Sequence, residues 1–400
     1  MRKTAVVFLL IIFSLFSVFA DSETTDETTE LVFYEESDDF DDFDDFDALF
    51  EDAPDDIVVE EAEIPTITQT QDTEKASLLN ITGSFTGKAG IVCVYDDTNT
   101  ESKFMPGGLL EMSNTLSMSV KPADVFSLYG SLDTAFSKEF SLDVSSLYFN
   151  SLLFDAVYLS AGKKGISWGN LRIFPNEVLS DSGAGVSCEI RYPWKLGTIT
   201  AVVLYDYSTY GVSSFTWKNM SFAGAADITV LNTNINAFVR KYPVAETPAD
   251  KLLAGLELKR TLFGFDAYVQ GNAVFASGFN KLTATGGFYR LWDGFTPNIG
   301  INIEYQYAYE PNAPQTSHIH SHVINAEFGI RRLGPSKNMK GAVKWNHNFI
   351  EASGNVDVVF IVSSIIPYAD WTNGVKITYG GSYSVPKIEF GTALSFSLNY

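Results

Sequence analysis

The stretch Ile388 to Tyr400 places Ile388, Phe390, Leu394, Phe396, Leu398 and Tyr400 on one parity and Glu389, Ser395, Ser397 and Asn399 on the other. Alternation with period two describes a β-strand with one apolar and one wet face. The apolar side carries no acid or base along its length, which suits the roughly 9–11 residues that a tilted strand needs to cross a bilayer. A strand of this kind is expected to close a sheet within a membrane.

In its alternation and its terminal aromatic, this stretch resembles the last strand of bacterial outer-membrane β-barrel proteins. The resemblance implies that Phe390, Phe396, Leu398 and Tyr400 form the insertion signal read by the barrel-assembly machinery. It also implies outer-membrane lipid as the body's surroundings.

The amino-terminal end agrees with export. Met1-Arg2-Lys3, an apolar run from Ala5 to Phe19 and the small-residue site before Asp21 have the three parts of a secretory signal, so residues 1–20 are expected to be a signal peptide. The run is short for a spanning helix.

Residues 21–76 change character. The net charge of −22 is concentrated here, because residues 21–75 hold 23 of the 49 acids and one base, Lys75. The remaining body is near neutral, and with no basic patch to meet phosphates nucleic acid is not an expected partner. Asp38-Asp39-Phe40, Asp41-Asp42-Phe43 and Asp44-Asp45-Phe46 repeat with period three, followed by Asp47-Ala48-Leu49-Phe50. Self-repulsion and low hydrophobicity predict a disordered periplasmic segment. Its phenylalanines leave two roles open, a spacer or a linear motif for a periplasmic partner with a basic and apolar groove.

From residue 77 to residue 400 alternation recurs between turns, as where Ile299, Ile301, Ile303, Tyr305, Tyr307 and Tyr309 oppose Asn302, Glu304 and Gln306. About eighteen such segments are predicted, or fourteen to sixteen if short hairpins merge. The connections carry an independent pattern. Short ones, such as Leu231-Asn232-Thr233, Phe263-Gly264 and Gly334 to Asn338, fall after even-numbered strands. Long ones fall after odd-numbered strands, at Asp96 to Gly108, Lys163 to Gly185, Ser208 to Met220, Tyr242 to Asp250 and Glu310 to Ser321. The expected fold is therefore all-β, a transmembrane up-and-down antiparallel barrel, since only a closed sheet satisfies its backbone in lipid. Trp292 and Phe295 at one rim, with Tyr307 and Tyr309 at the other, suit interfacial girdles. The wet parity carries both signs at Glu111, Asp133, Glu189, Arg191, Glu304, Glu327, Arg331, Lys344 and Asp357, and so many charges call for a hydrated lumen.

One stretch departs from the strand pattern. Gly162, Trp168, Gly169, Phe174 and Pro175 fall in an order that resembles the G-x(5)-W-G-x(4)-F-x-P pattern of alginate-export and carbohydrate-handling porins, with Asn170 where a second glycine is common. Such a loop can fold into the lumen. Lys163, Lys164 and Arg172 facing Glu177 and Asp181, with Trp168 as apolar anchor, are then candidates for a pore constriction with a transverse field. A surface loop with solvated cations is the other reading.

His318, His320 and His322 form an H-x-H-x-H run in the long loop after Tyr309, a spacing that can hold Zn²⁺ or Cu²⁺ but lacks a fourth ligand, so polar loop filler is the competing reading. Cys93 and Cys188 lie on apolar parities of distant strands and are expected to be unpaired thiols. There is no nucleophile elbow, phosphate loop or zinc-protease motif. The expectation is a non-enzymatic channel without a cofactor, passing small polar solutes by diffusion. A structural or adhesive barrel with a plugged lumen and partner-binding loops is the alternative.

Overall fold

The computed structural model describes residues 79–399 except 96–103, 124, 138–139, 176–178, 182–184, 212–214, 244–250, 277, 294–295, 313–317, 367 and 382. The signal and acidic segments, Glu177, Phe295 and Tyr400 lie outside the described residues.

Strands β1 (Leu79–Tyr95), β2 (Phe104–Ala123), β3 (Phe126–Phe136), β4 (Phe140–Leu153) and β5 (Val157–Lys163) come first. A short hairpin follows, β6 (Ile166–Trp168) and β7 (Leu179–Asp181). Next are β8 (Val186–Trp194), β9 (Gly197–Tyr205), a one-turn helix α1 (Tyr207–Tyr210), β10 (Met220–Val230), β11 (Thr233–Lys241), β12 (Leu252–Leu262) and β13 (Phe265–Phe275). The chain ends with β14 (Phe279–Trp292), β15 (Asn298–Tyr309), β16 (His320–Leu333), β17 (Met339–Asn348), β18 (Ser353–Ile366), β19 (Ala369–Gly380) and β20 (Tyr383–Asn399).

All but β6 and β7 belong to one 18-stranded antiparallel sheet in which each strand pairs with the next along the chain. The sheet closes because β20 also pairs with β1, from Ser84 opposite Asn399 to Tyr95 opposite Ile388. Closure leaves no free edge, as a sheet in lipid requires. At this seam Phe396 lies over Gly87, where an added Cβ would strike its ring, so an aromatic covers the bare backbone of a glycine across the strand pair.

Outward positions are exposed and apolar. Leu110, Met112, Leu116 and Met118 of β2 alternate with inward Glu111, Ser113, Thr115 and Ser117, and Ile388, Phe390, Leu394, Phe396 and Leu398 of β20 do the same around Glu389 and Ser395. A polar group on the outside is paired there: Trp371 donates its indole N–H to the Thr392 hydroxyl at 2.8 Å.

Connections obey the expected parity. One end of the barrel carries tight turns, including Leu231-Asn232 between β10 and β11 and Phe263-Gly264 between β12 and β13. In both, the two central residues have positive φ (52° and 60°, 54° and 77°), the geometry that matches strand twist in a two-residue hairpin. The other end carries the long connections. One boundary differs from expectation: β16 already begins at His320, so His320 and His322 belong to a strand and only His318 to the loop. Their outward neighbours Tyr309 and Tyr307 lie directly opposite and extend the ladder by stacking.

Candidate functional site: an inward loop clasped to the barrel wall

The connection between β5 and β8 folds against the inner wall. Gly162 begins it with φ of 135°, and any side chain there would strike the Leu147 carbonyl, so the chain can leave β5 in this direction only without a Cβ. Hairpin β6–β7 then forms within the loop. Ile166 and Trp168 insert into an apolar patch made by Val202 and Leu204 of β9, Ala223 of β10, Phe238 of β11 and Leu253 of β12. Trp168 is only 7% exposed and anchors the loop to the wall, with an edge on the cavity that opens between the two.

Three buried inward carboxylates hold the loop. Glu189 of β8 receives Lys164 at 2.6 Å and Arg191 at 2.7 Å. Glu257 of β12 accepts the Asn170 backbone N–H at 2.8 Å and also its side-chain amide, while Lys259 reaches the Asn170 amide oxygen at 3.4 Å. Glu304 of β15 accepts the backbone N–H groups of Arg172 at 2.5 Å and Phe174 at 2.7 Å, and the Tyr268 hydroxyl at 2.6 Å. Glu304 is 0% exposed, and a carboxylate that deep is tolerable only because donors surround it. The Arg172 guanidinium lies 3.4 Å from the ring centroid of Tyr289, a cation–π stack on β14. Contacts from Glu189 to Glu304 thus spread the loop over the wall from β8 to β15.

This arrangement changes the expected constriction. Lys163 pairs with Asp143 at 3.1 Å, Lys164 with Glu189, and Arg172 with Tyr289, so all three cations are engaged by wall residues, and Lys164 also borders that cavity. Glu177 and the Asp181 side chain are not among the described groups. The residues that fix the loop, Glu257, Tyr268 and Tyr289, were not singled out from sequence. Their signal was the doubly apolar run Ala201 to Tyr205, which marks a strand covered on its inner face too.

Beyond the loop, β16 to β20 carry a ladder of charge in register. Glu327 lies opposite Lys344, Lys344 opposite Asp357, Asp357 opposite Lys376 and Lys376 opposite Glu389. Lys344 reaches Glu327 at 3.5 Å, and Lys387 joins Glu389 at 2.5 Å. Direct cross-strand neighbours of opposite sign stabilise each other, which explains how five strands can present charge side by side. A cavity of about 1270 Å³ opens between the loop and the wall of β2 to β5 and β8 to β11, lined among others by Tyr129, Tyr148, Lys164, Arg191, Asp227 and Asn236. At the long-loop rim, Asp206 caps α1. Burial opposes its ionisation, but hydrogen bonds from Ser208 and Thr209 outweigh that and hold its carboxyl below the usual range.

The histidines are not gathered around a common point. Tyr305 and His322 share a hydrogen bond of 2.5 Å, Tyr307 and His320 one of 2.9 Å, both on the outward face. No group of three or more metal-ligating side chains occurs among the described residues. His320 and His322 are members of an outer aromatic belt with Tyr305, Tyr307 and Tyr309, the girdle expected at that rim. Trp292 stands in the corresponding belt at the tight-turn rim, edge-on to Phe265 and 4.8 Å from Arg290. Cys93 and Cys188 are both free. Phe390, Phe396 and Leu398 point outward and are exposed.

No protein-family model matches this sequence, and no curated protein does. Solved structures do share its architecture. The outer membrane protein opdK of Pseudomonas aeruginosa matches with a TM-score of 0.52 at 8% identity, over 80% of this chain and 99% of its own. The chain has the outer-membrane barrel fold. Acinetobacter baumannii OccAB3 matches at 0.51 and 6% identity, over 80% and 100% of the two chains. Pseudomonas aeruginosa OccK2 (OpdF), solved in complex with glucuronate, matches at 0.51 and 9%, over 80% and 98%. A closed sheet whose outside is apolar needs hydrocarbon around it, which puts this barrel in an outer membrane, the location stated for opdK.

Proposed function

We propose that this protein is an outer-membrane channel through which small polar solutes diffuse, in a water-filled lumen narrowed by the β5–β8 loop. The observation that carries this reading is the division of the inner wall. The loop is fastened to β8 to β15, the charge ladder lies on β16 to β20, and a cavity of about 1270 Å³ opens beside the loop. Glu327, Lys344, Asp357, Lys376, Lys387 and Glu389 give this arc three acids and three bases, of which Lys344 and Lys387 are partly exposed while Asp357, Lys376 and Glu389 are buried, so the wall carries both signs without a strong net field. The resemblance of the Gly162 to Pro175 stretch to the pattern of carbohydrate-handling porins supports the same role, as does the glucuronate in the OccK2 complex. The signal peptide at residues 1–20 supplies the route of export.

Planar-bilayer recording tests the proposal. The wild-type chain is expected to conduct, with a reversal potential near zero in a salt gradient. Lys344→Glu/Lys376→Glu leaves Lys387 as the one base among these six residues and is expected to shift selectivity severalfold towards cations. A barrel of wild-type mobility on gels that passes no current would overturn the channel in favour of a plugged, partner-binding barrel. An unchanged reversal potential in the variant would remove the ladder from the path.

A further inference from the structure

Three of the chain's four histidines share one outward patch at the long-loop end of β15 to β19. Strand register builds it in rows. Tyr309 lies opposite His320, and Tyr307 opposite His322. One outward step further from the loops, Tyr305, Ile324, His347, Gly354 and Tyr379 follow one another across five strands. Neighbouring imidazoles are therefore rooted about 7–8 Å apart, the spacing of next-but-one residues on a strand and of diagonal pairs across two.

Each imidazole is oriented by a tyrosine. The hydroxyls of Tyr307, Tyr305 and Tyr379 meet Nδ1 of His320, His322 and His347 at 2.9, 2.5 and 3.1 Å. The last pair shows the direction of the bond. Trp345 donates its indole N–H to the Tyr379 hydroxyl at 2.9 Å, which leaves the hydroxyl's own proton for Nδ1. Tyr379 reaches both partners because Gly354 stands on β18 between them, where an added Cβ would strike its hydroxyl. An imidazole that accepts at Nδ1 carries its proton on Nε2. The same bonding at His320 and His322 gives three N–H donors turned away from the tyrosines, and among the described residues nothing accepts from them.

The patch holds donors and no fixed charge. From these rows to mid-strand no outward position of β15 to β19 carries a charged side chain, and the rim acids Glu310 and Glu351 bond Lys281 and Ser353. Further down the same face Phe328, Val343, Val358 and Phe360 are exposed to lipid. A ligand that covers both regions needs a head that accepts hydrogen bonds and a tail that is apolar. A phospholipid has both, whereas a free anion or a metal ion covers the imidazoles alone. In mildly acidic water an imidazole gains a second proton and the donor becomes a cation. An anionic head then gains charge-assisted hydrogen bonds.

We infer that His320, His322 and His347 form a headgroup site on the barrel's outer face, binding the phosphate of an anionic phospholipid and holding it more strongly as pH falls. The inference needs lipid outside the sheet and is indifferent to conduction, so it stands or falls separately from the channel.

Photocrosslinking of the refolded full chain in phosphatidylcholine vesicles tests it, with a trace of phosphatidylglycerol or of phosphatidylcholine carrying a diazirine near the head and the adducts mapped by mass spectrometry. Adducts of the phosphatidylglycerol probe at residues 320–324 and 345–349 are expected to exceed those of the phosphatidylcholine probe severalfold. The excess should grow between about pH 7.5 and about pH 5.5. His320→Phe/His322→Phe/His347→Phe keeps the aromatic surface and should abolish both the excess and its pH dependence, with barrel mobility on gels unchanged. Tyr305→Phe/Tyr307→Phe/Tyr379→Phe frees the tautomers and should lower the excess at the higher pH only, because a doubly protonated ring donates from either nitrogen. The wild-type comparison decides even where a variant fails to fold. Equal yields of the two probes in the wild-type chain at both pH values would overturn the inference. So would an excess that persists in the histidine variant, occurs equally around the barrel or requires added zinc.

Discussion

Glu257→Ala/Glu304→Ala is expected to release the far half of the inward loop and raise single-channel conductance by about twofold, with noisier open levels. The four hydrogen bonds that these two carboxylates accept from Asn170, Arg172 and Phe174, with the one Lys259 donates to the Asn170 amide oxygen, attach the loop beyond Trp168. Bonds to a charged acceptor are each worth about 1.5–3 kcal/mol, so losing both acceptors removes several kcal/mol even after allowing for non-additivity. Tyr268 also loses its acceptor in Glu304, and the Arg172 stack on Tyr289 then has to hold a backbone with no fixed register. Ile166 and Trp168 stay in their apolar patch, so the near half of the loop is retained. The barrel's own ladder is untouched, and heat-modifiable mobility should match wild type. Conductance and noise equal to wild type in a folded variant would mean that the loop does not bound the path.

A second large effect is expected from charge on the outer face. Leu116 lies outward near the middle of the β2–β3 ladder, and Ser117 beside it points inward opposite Ser131. Leu116→Arg puts a guanidinium near the bilayer midplane and is expected to cost about 2–4 kcal/mol of stability. Ser117→Arg, one residue along, places the same group in the hydrated lumen and is expected to cost under about 1 kcal/mol. Denaturant unfolding in lipid vesicles, followed by tryptophan fluorescence, reads both. Equal losses at the two positions would contradict the assignment of faces.

The architecture was legible because barrel strands obey a local rule. Period two in β15 and β20, tight turns at Leu231-Asn232 and Phe263-Gly264, and long connections only at the other end can each be read within a few residues. The clasp could not be read this way. Glu257 and Glu304 look like any inward acid of the wet parity, yet their loop donors stand 87 and 132 residues away along the chain. Strand β9 held the available hint, since Val202 and Leu204 face inward and are buried, a sign that something apolar covers the inner wall there. The sequence left Lys163, Lys164 and Arg172 open between an inward constriction and a solvated surface loop, and their partners Asp143, Glu189 and Tyr289 could not be read because strand register sets them. Register likewise turns the scattered charges of Glu327, Lys344, Asp357, Lys376 and Glu389 into one ladder. The histidine run misled for a different reason: imidazoles suggest a polar loop, whereas beside tyrosines at a membrane rim they continue a strand.

Spin labels placed singly from Ile388 to Leu398 in the refolded chain, with collision rates measured for oxygen and for a water-soluble nickel complex, test the arrangement most directly. Labels at Ile388, Phe390, Leu394, Phe396 and Leu398 are expected to meet oxygen dissolved in hydrocarbon, and labels at Glu389, Ser395 and Ser397 to meet the nickel complex. Rates that do not alternate with parity, or oxygen contact missing from the apolar set, would contradict a closed sheet with lipid outside and water within.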